Sequence, residues 1–282
     1  THLITFNQKE IIHGVVEEIW LSEAFSEYAS TLLGYDQNFT GSNLEMRWQT
    51  FLRAPSDGLI EWRNRQADYG MTNLFIQYLV DHYGIKVLAD ALKSPKIGIL
   101  SLNEALQKNG FSQDFSQVFT DWAIAVLVND CGVGQKYCYL NENLKGFVIT
   151  PPISYLPLVG KSALLTTNFI KAWSGNWYQI VGGGGNLEVE FSGDAAGNFQ
   201  LPYIITNKSG KREVKFLNLS SEQQGTINVP DFNQTNISLT VIPLVRPKSS
   251  SSDSAGSVYQ FSFKVSTFVF GLPSEEAETI QK

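Results

Sequence analysis

The chain has 282 residues, 43% hydrophobic and 17% charged, and a formal net charge of −6 at pH 7. A chain of this length can bury a sizeable core and is long enough for two ordinary domains. It contains no basic stripe of the kind that binds nucleic acid, and no apolar run approaches the ~20 residues that span a bilayer. These features exclude a basic nucleic-acid-binding protein and a transmembrane helix within this sequence.

Helical periodicity extends over the first half of the chain. The predicted helices cover 3–12, 17–33, 43–53, 71–82, 85–92, 102–108 and 115–128. Ser42, Ser101 and Ser112 are the predicted N-caps of three of them. Because short loops join these helices, residues 1–144 are predicted to form one compact helical unit.

Short segments rich in β-branched and aromatic residues follow, separated by Gly, Asn and Ser. The predicted strands cover 146–150, 163–173, 177–181, 187–191, 199–206, 213–219, 225–229, 238–245 and 258–270. The pattern predicts a β-sandwich over 145–272, a low-complexity loop at 249–257 and a polar tail at 273–282. The fold class is therefore α+β with more than one domain.

Four consecutive glycines, 182–185, interrupt the strand pattern. They are interpreted as a flexible turn, and not as a phosphate loop, because neither Lys-Ser/Thr nor a helix start follows them. The segments on either side are predicted to form a hairpin or a connected sheet edge.

Cys131 and Cys138 flank a loop that contains glycine. The two alternatives are a short disulfide and two unrelated free thiols, and the spacing favours the disulfide. Together with the Asn, Ser and Thr content, a disulfide favours a secreted or cell-envelope protein.

The start of the chain carries the residues with the most specific chemistry. A catalytic zinc takes three protein ligands and leaves a position for water. His2 lies near the start of one predicted helix, Glu23 lies on the next, and a turn at Gly14 between them allows the chain to reverse. Glu27 follows Glu23 by one helical turn, so both carboxylates lie on one face. The pattern indicates a zinc ligand pair, His2 and Glu23, with Glu27 as an acceptor that orients a metal-bound histidine.

These residues also resemble a known class of enzyme. The segment 20–26, Trp-Leu-Ser-Glu-Ala-Phe-Ser, is similar to the segment that supplies the third zinc ligand in the aminopeptidase N family, and 22–27 is equally similar to its counterpart in thermolysin. Both are gluzincin metallopeptidases. A bacterial hyicolysin-like group is a candidate closer relative, and the sequence does not separate these branches. The resemblance implies that residues 1–144 are the helical C-terminal lobe of a zincin catalytic domain.

The resemblance also implies individual roles. His2 is the second histidine of a truncated HExxH motif, Glu23 the zinc glutamate and Glu27 the orienting carboxylate. The segment 68–79 is similar to the aminopeptidase segment whose leading tyrosine stabilises the oxyanion, which gives Tyr69 that role. The implied cofactor is zinc and the implied partner is a peptide or protein substrate.

The sequence departs from the family pattern in two ways. The spacing between His2 and Glu23 is slightly longer than is usual for gluzincins, a difference that a loop at Gly14 must absorb. The first zinc histidine and the catalytic glutamate are expected just before Thr1, so the chain by itself is expected to be inactive. Aminopeptidase and endopeptidase activities both remain open.

Simpler interpretations stand beside these roles. Glu23 and Glu27 fit a solvated helix face, although an apolar neighbourhood makes unpaired carboxylates costly there. Tyr69 also fits ordinary packing at a helix start. His13 and His82 fit surface or capping roles, with a substrate-site donor as the alternative for His82. Two tryptophans, Trp48 and Trp62, fit either a substrate pocket or the core.

A second class of function is a non-catalytic protein that keeps the peptidase scaffold. Its β-sandwich would then mediate adhesion, or bind carbohydrate or protein, with Trp173 and Trp177 as candidate rings for stacking on a sugar. The residues preceding Thr1 discriminate between the two classes, because only the peptidase requires His and Glu there.

Overall fold

The structure, a computed structural model, describes residues 1–158, 163–248 and 256–268. Within these residues helices fill the first half of the chain and strands the second, as predicted. A π-helix, Asn7–Ile11, follows the first helix directly, and a 3-10 helix covers Glu142–Leu144. The α-helices are α1 His2–Phe6, α2 Ile19–Leu32, α3 Asn43–Arg53, α4 Gln66–Tyr83, α5 Ile85–Lys93, α6 Gly98–Lys108 and α7 Phe115–Val128.

The helix starts agree with the predicted caps at one position and differ at two. Ser42 caps α3 as predicted, its hydroxyl accepting a backbone N–H at 3.1 Å. The prediction for Ser101 is wrong, because α6 begins before it and Ser101 is buried inside the helix. Asp114, and not Ser112, caps α7. A carboxylate satisfies the free N–H groups as well as a hydroxyl does, and its charge suits the positive end of the helix.

The strands of the described residues are β1 Ile153–Leu156, β2 Ala163–Lys171, β3 Tyr178–Gly182, β4 Gly185–Gly193, β5 Gly197–Asn207, β6 Arg212–Leu217, β7 Gln224–Phe232, β8 Asn236–Val241, β9 Leu244–Pro247 and β10 Val258–Phe268. The predicted strand at 146–150 is wrong, because Ile149 donates its N–H to Val126 O of α7 at 3.0 Å. The predicted strand at 238–245 is divided into β8 and β9. Pro243 lies at the division and has no N–H to donate to a ladder.

The strands form two groups. One contains β1, β3, β8 and β5, with β6 and β9 also pairing with β5, and the other has the order β7-β4-β10-β2. Among the described residues, one register pair between β7 and β8, Phe232 with Asn236, joins the groups. Tyr178 on β3 packs against Phe263 on β10 with ring centroids 5.5 Å apart. The result is a curled, sandwich-like β region, a coarser form of the predicted sandwich.

The glycine turn connects the two groups. Of the two predicted alternatives, the hairpin across 182–185 is wrong, because β3 and β4 do not pair with each other. They belong to one connected sheet, in which β8 and β7 lie between them. Gly182 has φ +78°, and a Cβ there would lie 2.4 Å from Leu156 O. Both the left-handed backbone and the close approach of β1 require glycine at this position.

Helices and strands share one hydrophobic core. Trp177 donates its indole N–H to Ala123 O of α7 at 3.0 Å, and the Trp173 ring lies 4.9 Å from that of Phe115. Trp173 is 8% exposed and Trp177 4% exposed. The hypothesis that these rings stack on a sugar is therefore wrong, since both faces are covered by protein. The division into domains at 144/145 stays a prediction.

Cys131 and Cys138 form a disulfide, with their Cα atoms 5.1 Å apart. The bond closes a loop directly after α7, whose last turn ends at Asn129 in the left-handed conformation. None of the described helices combines the length and the apolar character needed to cross a bilayer. The predicted tail, 273–282, and most of the predicted loop, 249–257, lie outside the described residues.

Candidate metal centre

The structure brings His2 and Glu23 together. His2 Nε2 lies 3.7 Å from Glu23 Oε1, and the two side chains are 60% and 21% exposed. Ser22 Oγ lies 3.4 Å from His2 Nδ1, and Ser26 Oγ lies 3.3 Å from His2 Nε2. The two predicted ligands therefore form a pair of donor atoms at an open surface between α1 and α2.

The chain reverses between His2 and Glu23 in two steps. The π-helix Asn7–Ile11 has wider turns than an α-helix and so accommodates extra residues without a break. Gly14 then adopts φ +68°, a backbone conformation that favours glycine. The long spacing between the two ligands is thus absorbed by the π-helix as well as by the Gly14 turn.

A buried lysine holds this first helical segment in place. The Lys9 side chain is 1% exposed, and its Nζ lies 2.9 Å from Glu17 Oε2. The same Nζ donates to the backbone carbonyls of Ala91 at 2.8 Å, Ser94 at 3.0 Å and Lys96 at 2.6 Å. Because a buried charge is tolerated only with such partners, Lys9 fixes the segment that carries His2 to the connection between α5 and α6.

Glu27 ties α2 to α3 and α4. Arg47 of α3 binds it in a bidentate manner, with Nη2 2.7 Å from Oε1 and Nε 2.8 Å from Oε2. Asn43 and Asn73 donate to Oε2 at 2.9 and 3.1 Å. His2 is not among these partners within the described residues. The role of Glu27 in orienting a histidine stays a prediction, while its bonds to Arg47 hold the helix that carries Glu23.

Tyr69 lies in the first turn of α4, which begins at Gln66 and thus earlier than predicted. Its hydroxyl donates to Asn64 Oδ1 at 3.0 Å, and its ring lies 4.8 Å from that of Trp62. The guanidinium of Arg47 lies over the same ring, 4.6 Å from its centroid. Partial burial, and after it the charge of Glu23, raise the pKa of Tyr69. Its phenol is therefore a protonated donor near neutral pH, and its oxyanion role stays a prediction.

The other candidate residues form contacts elsewhere. His13 Nε2 lies 2.9 Å from Lys93 O, and His82 Nε2 lies 2.7 Å from Cys138 O next to the disulfide. Burial lowers the pKa of His82. Trp48 packs on two rings of the core at 5.1 and 5.7 Å. Of the two candidate tryptophans, Trp62 is the one that contacts Tyr69.

The donor atoms of the pair fit a zinc ion. Imidazole nitrogen and carboxylate oxygen are both ordinary zinc ligands, and in a tetrahedral site two such atoms lie roughly 3.3–3.6 Å apart. The observed 3.7 Å between His2 Nε2 and Glu23 Oε1 is close to that separation. Within the described ranges, however, no group of three or more His, Cys, Asp or Glu side chains is placed to hold a metal ion. Among the described residues, His2 and Glu23 alone do not make a complete zinc site, and their role as ligands stays a prediction.

Several residues of this region were not identified from the sequence. Ser22 and Ser26 contact His2 and lie one helical turn apart on α2, so their i, i+4 spacing was a signal for a shared face. The roles of Lys9 and Arg47 could not be predicted from neighbouring residues, because the groups that they bind lie far away in the sequence.

Comparison with known proteins gives no family. No protein-family model matches the chain, and no curated protein matches it in sequence. Among solved structures, a Yersinia pseudotuberculosis-derived mitogen is similar to this chain at 11% identity and a TM-score of 0.26. The aligned region is 40% of this chain and 92% of the mitogen.

Two further structures are similar to the same degree. The periplasmic inhibitor of g-type lysozyme from Aeromonas hydrophila matches 42% of this chain over 98% of its own length, at 13% identity and a TM-score of 0.25. The pre-peptidase C-terminal domain of a Bacillus anthracis collagenase matches 41% over 96% of its own length, at 7% identity and a TM-score of 0.26. At these scores the likenesses carry no argument about function.

Proposed function

We propose that this chain is part of a zinc-dependent metallopeptidase of the gluzincin type, in which His2 and Glu23 are two of the zinc ligands. The observation that carries the proposal is the 3.7 Å separation of His2 Nε2 and Glu23 Oε1 across two helices. The third protein ligand and the general base are then a His and a Glu located three and two residues before Thr1, as the HExxH pattern requires.

The surface around α1 supports this proposal. Large apolar side chains are exposed along the first segment of the chain: Leu3 84%, Ile4 55%, Phe6 46%, Ile11 63%, Ile12 55%, Val16 68% and Ile19 57%. Apolar groups in such a concentration mark a surface that another protein surface covers. A further lobe of a catalytic domain would cover this one, and the cleft would lie between the two lobes.

The residues of this chain have separate tasks in the proposed reaction. Bound zinc would activate water for attack on a peptide carbonyl. His2 and Glu23 would hold the ion, and the bonds of Glu27 to Arg47 and Asn73 keep the Glu23 helix against α3 and α4. Tyr69 would exchange its bond to Asn64 for a hydrogen bond donated to the oxyanion that develops on the substrate.

The position of the Tyr69 ring is fixed by two neighbours. The ring of Trp62 and the guanidinium of Arg47 both contact the Tyr69 ring, so that its orientation is fixed before a substrate binds. Trp62 is partly exposed and offers an apolar surface to a peptide side chain. The substrate class in this proposal is a peptide or protein, as the resemblance to gluzincins implies.

The disulfide indicates that the protein is located in an oxidising environment. Bonds of this type persist in secreted and cell-envelope proteins and are rare in the cytosol. The disulfide between Cys131 and Cys138 thus supports the proposal that the protein is secreted or located in the cell envelope.

The test uses the longer protein that includes the residues preceding Thr1. We expect His and Glu at the two positions named above, one zinc ion per chain by mass spectrometry, and hydrolysis of a casein substrate. Glu23→Gln should lower the zinc affinity by at least tenfold and abolish hydrolysis, since a neutral amide is a poor zinc ligand.

Glu10→Gln is the matched control. Glu10 lies on the same exposed segment but is not part of the pair, so this variant should keep its zinc and its activity. An unchanged zinc content in Glu23→Gln would show that Glu23 is not a ligand and would contradict the proposal.

A second candidate function is a non-catalytic binding protein on the same scaffold. It is favoured by one observation, that no complete group of three metal ligands exists among the described residues. If the two positions before Thr1 are not His and Glu, and the longer protein contains no zinc, this second function is supported and the peptidase is not.

A further inference from the structure

We infer that a cavity between α7 and the β5–β6 edge of the sheet binds a neutral carbohydrate. The cavity has a volume of about 270 Å³ and lies far along the chain from His2 and Glu23. Its lining includes Gln117 of α7, Gln200 of β5, and Phe216, Asn218 and Gln223 of β6 and the turn after it. The inference does not depend on the proposed peptidase activity.

The amide side chains of this cavity retain unused hydrogen-bonding groups. Gln223 accepts the N–H of Phe199 through Oε1 at 2.8 Å, and Gln200 accepts the hydroxyl of Thr120 through Oε1. In the part of the chain that the structure describes, their amide nitrogens have no partner and remain available as donors. Gln223 is only 8% exposed, and the bond that its Oε1 accepts from Phe199 fixes the orientation of its amide group.

Acceptors are present beside these donors. Gln117 donates through Nε2 to Asp121 at 2.9 Å, which leaves its Oε1 as an acceptor. Asn218 is exposed and offers both an acceptor and a donor. A sugar hydroxyl both donates and accepts, so a cluster of amide groups is suited to it.

The charge of the lining narrows the class of ligand. The side chains that form the cavity are amides, one threonine, leucines and phenylalanines, and none of them is ionised. An anionic or cationic ligand would lose its hydration here without gaining a counter-charge. A neutral polyhydroxylated ligand has no such cost.

Phe216 provides the apolar component. It lies on β6, is 47% exposed and borders the cavity. Carbohydrate rings have faces of C–H groups, and an exposed aromatic ring beside a cluster of hydrogen-bonding groups suits such an amphipathic ligand. In contrast to Trp173 and Trp177, Phe216 is accessible.

The test measures binding of neutral and charged oligosaccharides to the chain of 282 residues. The probes are maltohexaose, cellohexaose, laminarihexaose and chitohexaose, each to 10 mM, and a heparin hexasaccharide as the charged comparison, measured by calorimetry and ligand-observed NMR. We expect at least one neutral hexasaccharide to bind and the heparin fragment not to bind. Phe216→Ala should weaken that binding about tenfold, and Phe216→Trp should retain it.

The matched control is Phe169→Ala on β2. Phe169 is also an exposed strand aromatic, 65% exposed, but it does not line the cavity. This variant should bind as the unmodified chain does. Failure of all four neutral probes, binding of the heparin fragment alone, or an equal loss in Phe169→Ala and Phe216→Ala would overturn the inference.

Discussion

Replacing Lys9 by methionine removes the charge that fixes the His2 segment while keeping most of the length of the side chain. The change leaves Glu17 without its counter-charge and takes the donor away from the carbonyls of Ala91, Ser94 and Lys96. Glu17 Oε1 also accepts the N–H of Gly98 at 2.6 Å, so the carboxylate cannot leave without further loss.

The magnitude follows from the burial of both partners. The Lys9 and Glu17 side chains are 1% and 2% exposed, so solvent does not compensate for the missing charge. Removing one partner of a buried ion pair costs about 3–5 kcal/mol. Since methionine fills most of the volume, little of this is a cavity effect. We expect the free energy of unfolding of Lys9→Met to fall by about 3–5 kcal/mol.

Urea denaturation followed by tryptophan fluorescence measures this difference. The double variant Lys9→Met with Glu17→Gln should be less destabilised than Lys9→Met alone, because the orphaned charge is then absent. The control is Lys86→Met. Lys86 pairs with Asp90 at 2.6 Å on the surface and is 69% exposed, so its loss should cost under about 1 kcal/mol.

Two results would refute the reasoning. One is a loss below about 1 kcal/mol in Lys9→Met, which would mean that the buried pair is not formed as the structure shows it. The other is a double variant that is no more stable than the single one, because the coupling between Lys9 and Glu17 would then be absent.

Three further predictions concern other parts of the fold. Replacing Cys131 and Cys138 by serine should lower the free energy of unfolding by roughly 2–3 kcal/mol, since the bond closes a loop with a sequence separation of 7. Urea denaturation of the oxidised and the substituted chains measures this difference, and equal stability of the two chains would contradict the prediction. Burial raises the pKa of Asp121 from 3.8 to about 6. The folded state therefore binds a proton more tightly, and its stability falls as the pH rises from about 4 to about 6, by up to about 3 kcal/mol. Asp121→Asn should be more stable than the unmodified chain at pH 7 but not at pH 3, which the midpoints of urea denaturation at the two pH values will show. An equal difference in stability between the two chains at pH 7 and at pH 3 would contradict this prediction. Finally, Trp177→Phe should cost about 1–3 kcal/mol through loss of the bond to Ala123 O, and a cost near zero in thermal unfolding would mean that this bond does not couple helix to strand.

The sequence predicted one contact of the candidate site and missed another. His2 and Glu23 were expected to lie close together, and the structure has them 3.7 Å apart, while their role as zinc ligands stays a prediction. Arg47 was missed although it binds Glu27 with two hydrogen bonds. Nothing in a helical pattern indicates which distant residue will meet a given carboxylate.

The sequence by itself determined the change from helices to strands, the extents of most elements and the Ser42 cap, because these depend on side-chain period and on hydrogen bonds between near neighbours. Only the tertiary structure decided that Lys9 is buried among carbonyls, that Trp173 and Trp177 are core residues and that β3 and β4 belong to different strand groups. Each of these depends on contacts between residues far apart in the chain. Their formation is set by the packing of the whole molecule, and local sequence carries no record of it.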